Sequence, residues 1–107
     1  EPETVEYFSF GKKKNKRHYI AVALERCYNN GDEDELGTIV PIFEVVDINA
    51  ADNDDRVKHV ATLQSPESLS PEGLLFVNDS KTSGHMFVTN EVSRTLDTYA
   101  ISQADLG

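Results

Sequence analysis

A chain of 107 residues, 38% hydrophobic and 27% charged, suffices for one modest core and is neither a disordered tail nor a membrane-embedded segment. The 19 Asp and Glu against 10 Lys and Arg leave a formal charge of −9, which repels phosphate backbones and argues against nucleic acid as a partner. The same acidic balance is compatible with Ca²⁺, with basic partners or simply with solubility. No apolar run approaches the roughly 20 residues that a bilayer span requires, and the longest, Thr38 to Val46, is broken by Pro41 and Glu44. The lone Cys27 excludes an internal disulfide and a thiolate cluster, leaving a buried thiol or a bond to a segment elsewhere. With no initiator Met and no signal-like stretch, the chain is expected to begin after processing or partway through a longer polypeptide.

Period-two and continuous β-rich runs, each bounded by turn formers, recur along the chain, while helical periodicity is hard to find. Val5–Phe10 is the first, stopped by Gly11. The basic tract Lys12–Arg17 follows as a hairpin tip, read as a solvated turn or as a contact for an acidic partner or anionic glycan. His18–Leu24 predicts a second, largely buried strand, and Asn29–Glu35 a polar, acidic loop. Thr38–Ile48 predicts a third strand in which Pro41 implies a bulge or an edge position. After a loop over Asn49–Asp55, Arg56–Leu63 alternates as a half-exposed outer strand does. A second cycle runs through strands Gly73–Val77, His85–Asn90 and Thr95–Ile101, with a turn over Asn78–Gly84, and the tail Ser102–Gly107 carries little signal.

The two cycles match each other. Pro2-Glu3-Thr4-Val5 parallels Pro71-Glu72-Gly73-Leu74, and Tyr19 to Glu25 parallels His85 to Glu91. Thr38 to Val45 parallels Thr95 to Ile101, with Phe43 and Tyr99 at a matching place. The expected fold is therefore all-β, with antiparallel strands forming about two blades of a larger β-propeller. Residues 2–64 would form blade one and residues 70–102 blade two of a single propeller domain. Because such rings close with about four to eight blades, the missing strands are expected from the rest of the parent protein or from associated chains.

Several segments resemble a known family. Pro2-Glu3, Tyr19 to Arg26 and Pro41 to Ile48 look like one stretch of it. Ser70-Pro71-Glu72-Gly73-Leu74-Leu75-Phe76-Val77, Phe87 to Ser93 and Thr98 to Ile101 look like the next. These are similar to the choice-of-anchor I domain proteins, which include mesenchyme-specific cell surface glycoproteins, and the resemblance covers nearly the whole chain. Thr4 stands where the family favours glycine, and the loop from Cys27 to Leu36 is longer and more acidic than its pattern. The resemblance implies an extracellular or cell-surface β-propeller with a structural, adhesive or matrix-assembly role and an association with calcium. The alternative it implies is part of a calcium-dependent, phosphatase- or phytase-like hydrolase whose active site other blades complete.

Candidate site residues follow from the repeat and from composition. Glu25 and Glu91 end equivalent strands and are candidate Ca²⁺ ligands, since a hard cation collects six to eight oxygens; the competing reading pairs them with Arg26 and Arg94. Asp32, Glu33, Asp34 and Glu35 form the densest negative patch, a second place for calcium or a partner, or else a solvated loop. Asp52 to Asp55 lacks the glycine and closing glutamate of an EF-hand loop. Asn78-Asp79-Ser80 is an N-glycosylation acceptor triplet. No nucleophile elbow or His-Glu-x-x-His pair is present, and His18, His59 and His85 have no shared ligand spacing, so no catalytic residue is assigned.

Overall fold

A computed structural model describes residues 2–24, 38–65, 71–90 and 94–107. They form two antiparallel meanders and almost no helix. The first sheet has the order β1 (Pro2–Phe10), β2 (Arg17–Leu24), β3 (Thr38–Val45), β4 (Val57–Ser65). The second has the order β5 (Pro71–Asn78), β6 (Ser83–Asn90), β7 (Thr95–Ser102). Within each sheet every strand lies beside its predecessor in the chain. None of the described helices is long and apolar enough to cross a membrane.

One face of each sheet packs against the other. Phe8, Phe10, Tyr19, Ala21, Ala23, Val40 and Ile42 from the first sheet meet Phe76, Met86, Val88 and Ile101 from the second. The closest approach is along β1 and β5, where the Phe8 and Phe76 rings stack with centroids 4.2 Å apart. Phe10 meets Phe76 edge-on at 5.7 Å, and Tyr19 stacks on Phe8 at 5.3 Å. Such ring pairs contribute about 0.5–1.5 kcal/mol each beyond the area they bury. Small residues line the middle of β2, where Ala21 and Ala23 leave room for this aromatic cluster. Glu6 joins the sheets by a polar bond: its carboxylate accepts the Phe76 backbone N–H at 2.8 Å, occupying a donor on the unpaired edge of β5.

The repeat seen in the sequence is also a repeat of register. Pro2 pairs with Leu24 and Pro71 with Asn90, and a bulge follows each proline, before Thr4 in one sheet and Gly73 in the other. Tyr7 opposite Ile20 corresponds to Phe76 opposite Met86, and Phe8 opposite Tyr19 to Val77 opposite His85. Phe43, paired with Ile20, corresponds to Tyr99, paired with Met86.

Equivalent positions nevertheless point opposite ways. Phe8 is 3% exposed and its counterpart Val77 46%, while Phe76 is 9% exposed and its counterpart Tyr7 56%. The first sheet thus uses one face for the core and the second sheet uses the other. A pseudo-two-fold sandwich, in which both sheets present the same face, is the arrangement this excludes.

Several boundaries differ from the sequence reading. β1 extends back to Pro2, and β3 ends at Val45 because Val46 and Asp47 donate their N–H groups to Arg56 C=O at 2.8 and 3.2 Å, closing a turn. Pro41 lies in an interior strand instead of at an edge: the β2–β3 pairing runs from Tyr19↔Glu44 to Ala21↔Ile42, one residue short of it. The bulge expected near it falls between Ile42 and Phe43 in the β3–β4 register. The loop before β4 holds one helical turn, α1 (Asn53–Arg56), held by Arg56 donating to Ala50 C=O at 2.7 Å and to Asn53 Oδ1 at 2.8 Å. The tail is ordered by packing. Gln103 N–H donates to Thr82 C=O at 2.8 Å, a 3-10 turn covers Gln103–Leu106, and Leu106 is buried in the core.

Candidate functional site

Two hairpin tips meet at one end of the molecule. After β1 the chain turns through Gly11, whose φ of +99° suits only glycine and where a Cβ would come within 2.7 Å of Asn15 O. A 3-10 turn over Lys13–Asn15 then leads into β2. The β5–β6 turn is closed by Asp79 and Ser80 N–H groups, both donating to Ser83 C=O. Gly11 N–H donates to Lys81 C=O at 2.7 Å, and the Asn78 side-chain amide donates to Ser9 C=O at 3.1 Å, which docks one tip on the other. Ser9, Gly11, Lys16, Asn78, Ser80 and Lys81 line the cleft between them, about 290 Å³ in volume.

The basic tract divides. Lys12, Lys13, Lys14 and Lys16 are exposed on the tip, whereas Arg17 forms a bidentate pair with Glu44, Nε to Oε2 at 2.8 Å and Nη2 to Oε1 at 2.7 Å. This bond pushes the Arg17 guanidinium up and holds the Glu44 carboxyl below the usual carboxylate range, while desolvation opposes both shifts. Tyr19 sits beside the pair with its hydroxyl buried and no hydrogen-bond partner among the described residues; burial pushes its phenol up. A second polar group closes the core end of the other sheet, where buried Asn90 donates to Asp97 Oδ2 at 3.0 Å and to Thr95 Oγ1 at 3.3 Å.

Of the candidate residues, Asn78 is exposed at the tip junction, and its amide nitrogen donates to both Ser9 C=O and Ser80 C=O. Glu25, Glu91, Asp32, Glu33, Asp34, Glu35 and Cys27 lie outside the described residues. Asp54 and Asp55 occupy the first turn of α1. The histidines are dispersed: His18 lies 2.5 Å from the Tyr7 hydroxyl, His59 packs on Phe43, and His85 pairs with Asp79 at 2.7 Å. Among the described residues no group of three or more His, Cys, Asp or Glu side chains is placed to hold a metal ion.

Two further surfaces stand out by chemistry. On the outer face of the first sheet Val5 and Tyr7 are exposed, and Ile20, Val22, Leu24, Ile39, Phe43 and Val45 are only half-buried. On the outer face of the second, a groove of about 380 Å³ is lined by Gly73, Leu74, Leu75, Phe87, Thr89 and Leu96. The sequence contained a signal for the first, since most residues of β2 and β3 are apolar on both faces. The tip cleft, by contrast, had half a signal: Lys81 lies far from the basic tract in sequence. No family model, curated protein or solved structure matches this chain.

Proposed function

We propose that this chain is a structural module of the β-propeller type: two successive sheets of a head-to-tail stack, whose outer faces are covered by further sheets of the same kind. One observation carries the reading. Register-equivalent residues are buried on opposite faces of the two sheets, as Phe8 and Val77, or Tyr7 and Phe76, illustrate. The operation that places the second sheet on the first is therefore heterologous, and each end of the pair still presents the face it would need to repeat. Both of those faces are apolar, which is the mark of an interaction surface and not of a solvated edge of a finished sandwich. Leu74 reaches from the core into the outer groove, so the next interface would continue the existing one.

The resemblance to the choice-of-anchor I domain proteins agrees with this architecture and supplies the cell-surface part of the proposal, an adhesive or matrix-assembly role. Calcium enters through Glu25 and Glu91. Millimolar Ca²⁺ is expected to raise the melting temperature, and the Glu25→Gln/Glu91→Gln pair to abolish that rise; an equal melting temperature with calcium and with chelator ends the calcium part alone.

The stacking reading is tested by sedimentation of the chain at increasing concentration. Apolar outer faces predict concentration-dependent association, and Val5→Lys with Leu75→Lys, one charge on each outer face, is expected to yield a monomer. A monomer at all concentrations that also fails to bind an apolar dye would sink the proposal.

A further inference from the structure

We infer that the cleft between the two hairpin tips binds the sulfate esters of a linear sulfated glycan. The charge distribution is the first ground. The chain carries a formal −9, yet five of its six lysines stand at this one end: Lys12, Lys13, Lys14 and Lys16 on the first tip and Lys81 on the second. None of the five has an ion-pair partner among the described residues. Arg17, the remaining cation of the tract, is held by Glu44, and Asp79, the acid beside Lys81, is held by His85 at 2.7 Å.

The second ground is the shape and lining of the cleft. Lys16 and Lys81 enter it from different sheets, together with Ser9, Ser80 and Asn78, and no carboxylate lines it. Backbone and side-chain bonds between the tips fix the spacing of the two lysines, which removes part of the ordering cost of binding. A lysine ammonium is a compact point charge with three donors, suited to a tetrahedral oxyanion. The volume of about 290 Å³ accommodates a group of monosaccharide size, and Lys12 to Lys14 continue the positive surface beyond it. A polymer with regularly spaced sulfates engages both regions at once.

The lining also discriminates between polyanions. No aromatic ring faces the cleft, so the bases of a single-stranded nucleic acid have nothing on which to stack.

Calorimetric titration of the chain with a sulfated heparin hexasaccharide tests this. Binding is expected to weaken with rising salt, to disappear for the desulfated hexasaccharide, and to fall at least tenfold in Lys16→Gln/Lys81→Gln. Lysine acetylation read by mass spectrometry supplies a measurement on the unaltered protein. The hexasaccharide is expected to protect Lys16 and Lys81 first, then Lys12 to Lys14, and to leave Lys58 on β4 unprotected. Equal or tighter binding of an oligonucleotide or a polyglutamate of matched charge, no binding of the hexasaccharide, or protection of Lys58 equal to that of Lys81 overturns the inference.

Discussion

The two sheets solve the same folding problem with the same register and then part company in what they bury. In the first, Phe8 and Tyr19 face inward and Tyr7 and Ile20 outward. In the second, the residues at those pairing positions, Val77 and His85, face outward, while Phe76 and Met86 face inward. Strand pairing alone cannot produce this difference, because the ladder is indifferent to which side of the pleat is covered. What decides it is the neighbour: each sheet has two faces able to pack, and the other sheet covers one of them. A residue's exposure in this molecule therefore reports its place in the stack more than its chemistry.

The largest effect should come from the ring pair that joins the sheets. Phe8→Ala or Phe76→Ala is expected to cost about 3–5 kcal/mol in denaturant unfolding, the range for deleting a buried aromatic side chain. Tyr7→Ala and Val77→Ala at the equivalent positions should cost under about 1 kcal/mol in the same chain. If the pairs behave alike, the contrast between covered and uncovered faces is wrong. Within a parent protein that covers the outer faces, the Val77→Ala cost should rise toward that of its partner position.

Next comes the Arg17–Glu44 ion pair of the first sheet. Glu44→Gln or Arg17→Met is expected to cost about 1.5–3 kcal/mol, the worth of charge-assisted hydrogen bonds to a largely buried carboxylate. The pH dependence has a definite sign. Glu44 is depressed below its ordinary value of 4.5 in the folded state, so its contribution is fully present above about that pH and is lost as the pH falls through the folded value. Unfolding midpoints of the parent and of Glu44→Gln should therefore converge in acid and diverge above it.

Glycines give a comparison of similar size. A Cβ at Gly84 would run into the Phe76 ring and the Val77 carbonyl, whereas at Gly73 it would meet only the movable Thr89 hydroxyl, at 2.8 Å. Gly84→Ala should cost about 1–3 kcal/mol by overpacking, and Gly73→Ala distinctly less. Thermal melts of the two variants check it. The smallest effect belongs to Tyr19→Phe. Removing a buried hydroxyl with no partner among the described residues should leave stability unchanged or raise it by up to about 1 kcal/mol.

Much of this was legible in the chain. Seven strands and the two-cycle repeat followed from β-rich apolar runs and their punctuation by Gly11, Asn49 and Asn78. The pairing of Phe43 with Tyr99 across the repeat held in register. The tail escaped because one apolar residue, Leu106, gives no periodicity, and its burial depends on Gln103 reaching Thr82. The α1 turn escaped because one helical turn is too short to show a period and is held by the Arg56 side chain. The tip cleft was half visible, as a basic tract without its second wall.

Composition and pattern by themselves determined that this protein is built of antiparallel strands in two related cycles, because local φ/ψ preference and turn chemistry act over a few neighbouring residues. Tertiary structure alone decided which face of each sheet is covered, that Arg17 leaves the basic tract for Glu44, and that Lys81 joins the lysines of the other tip. Those outcomes depend on contacts between residues distant in the chain, and no local pattern encodes which of two apolar faces a neighbouring sheet will meet.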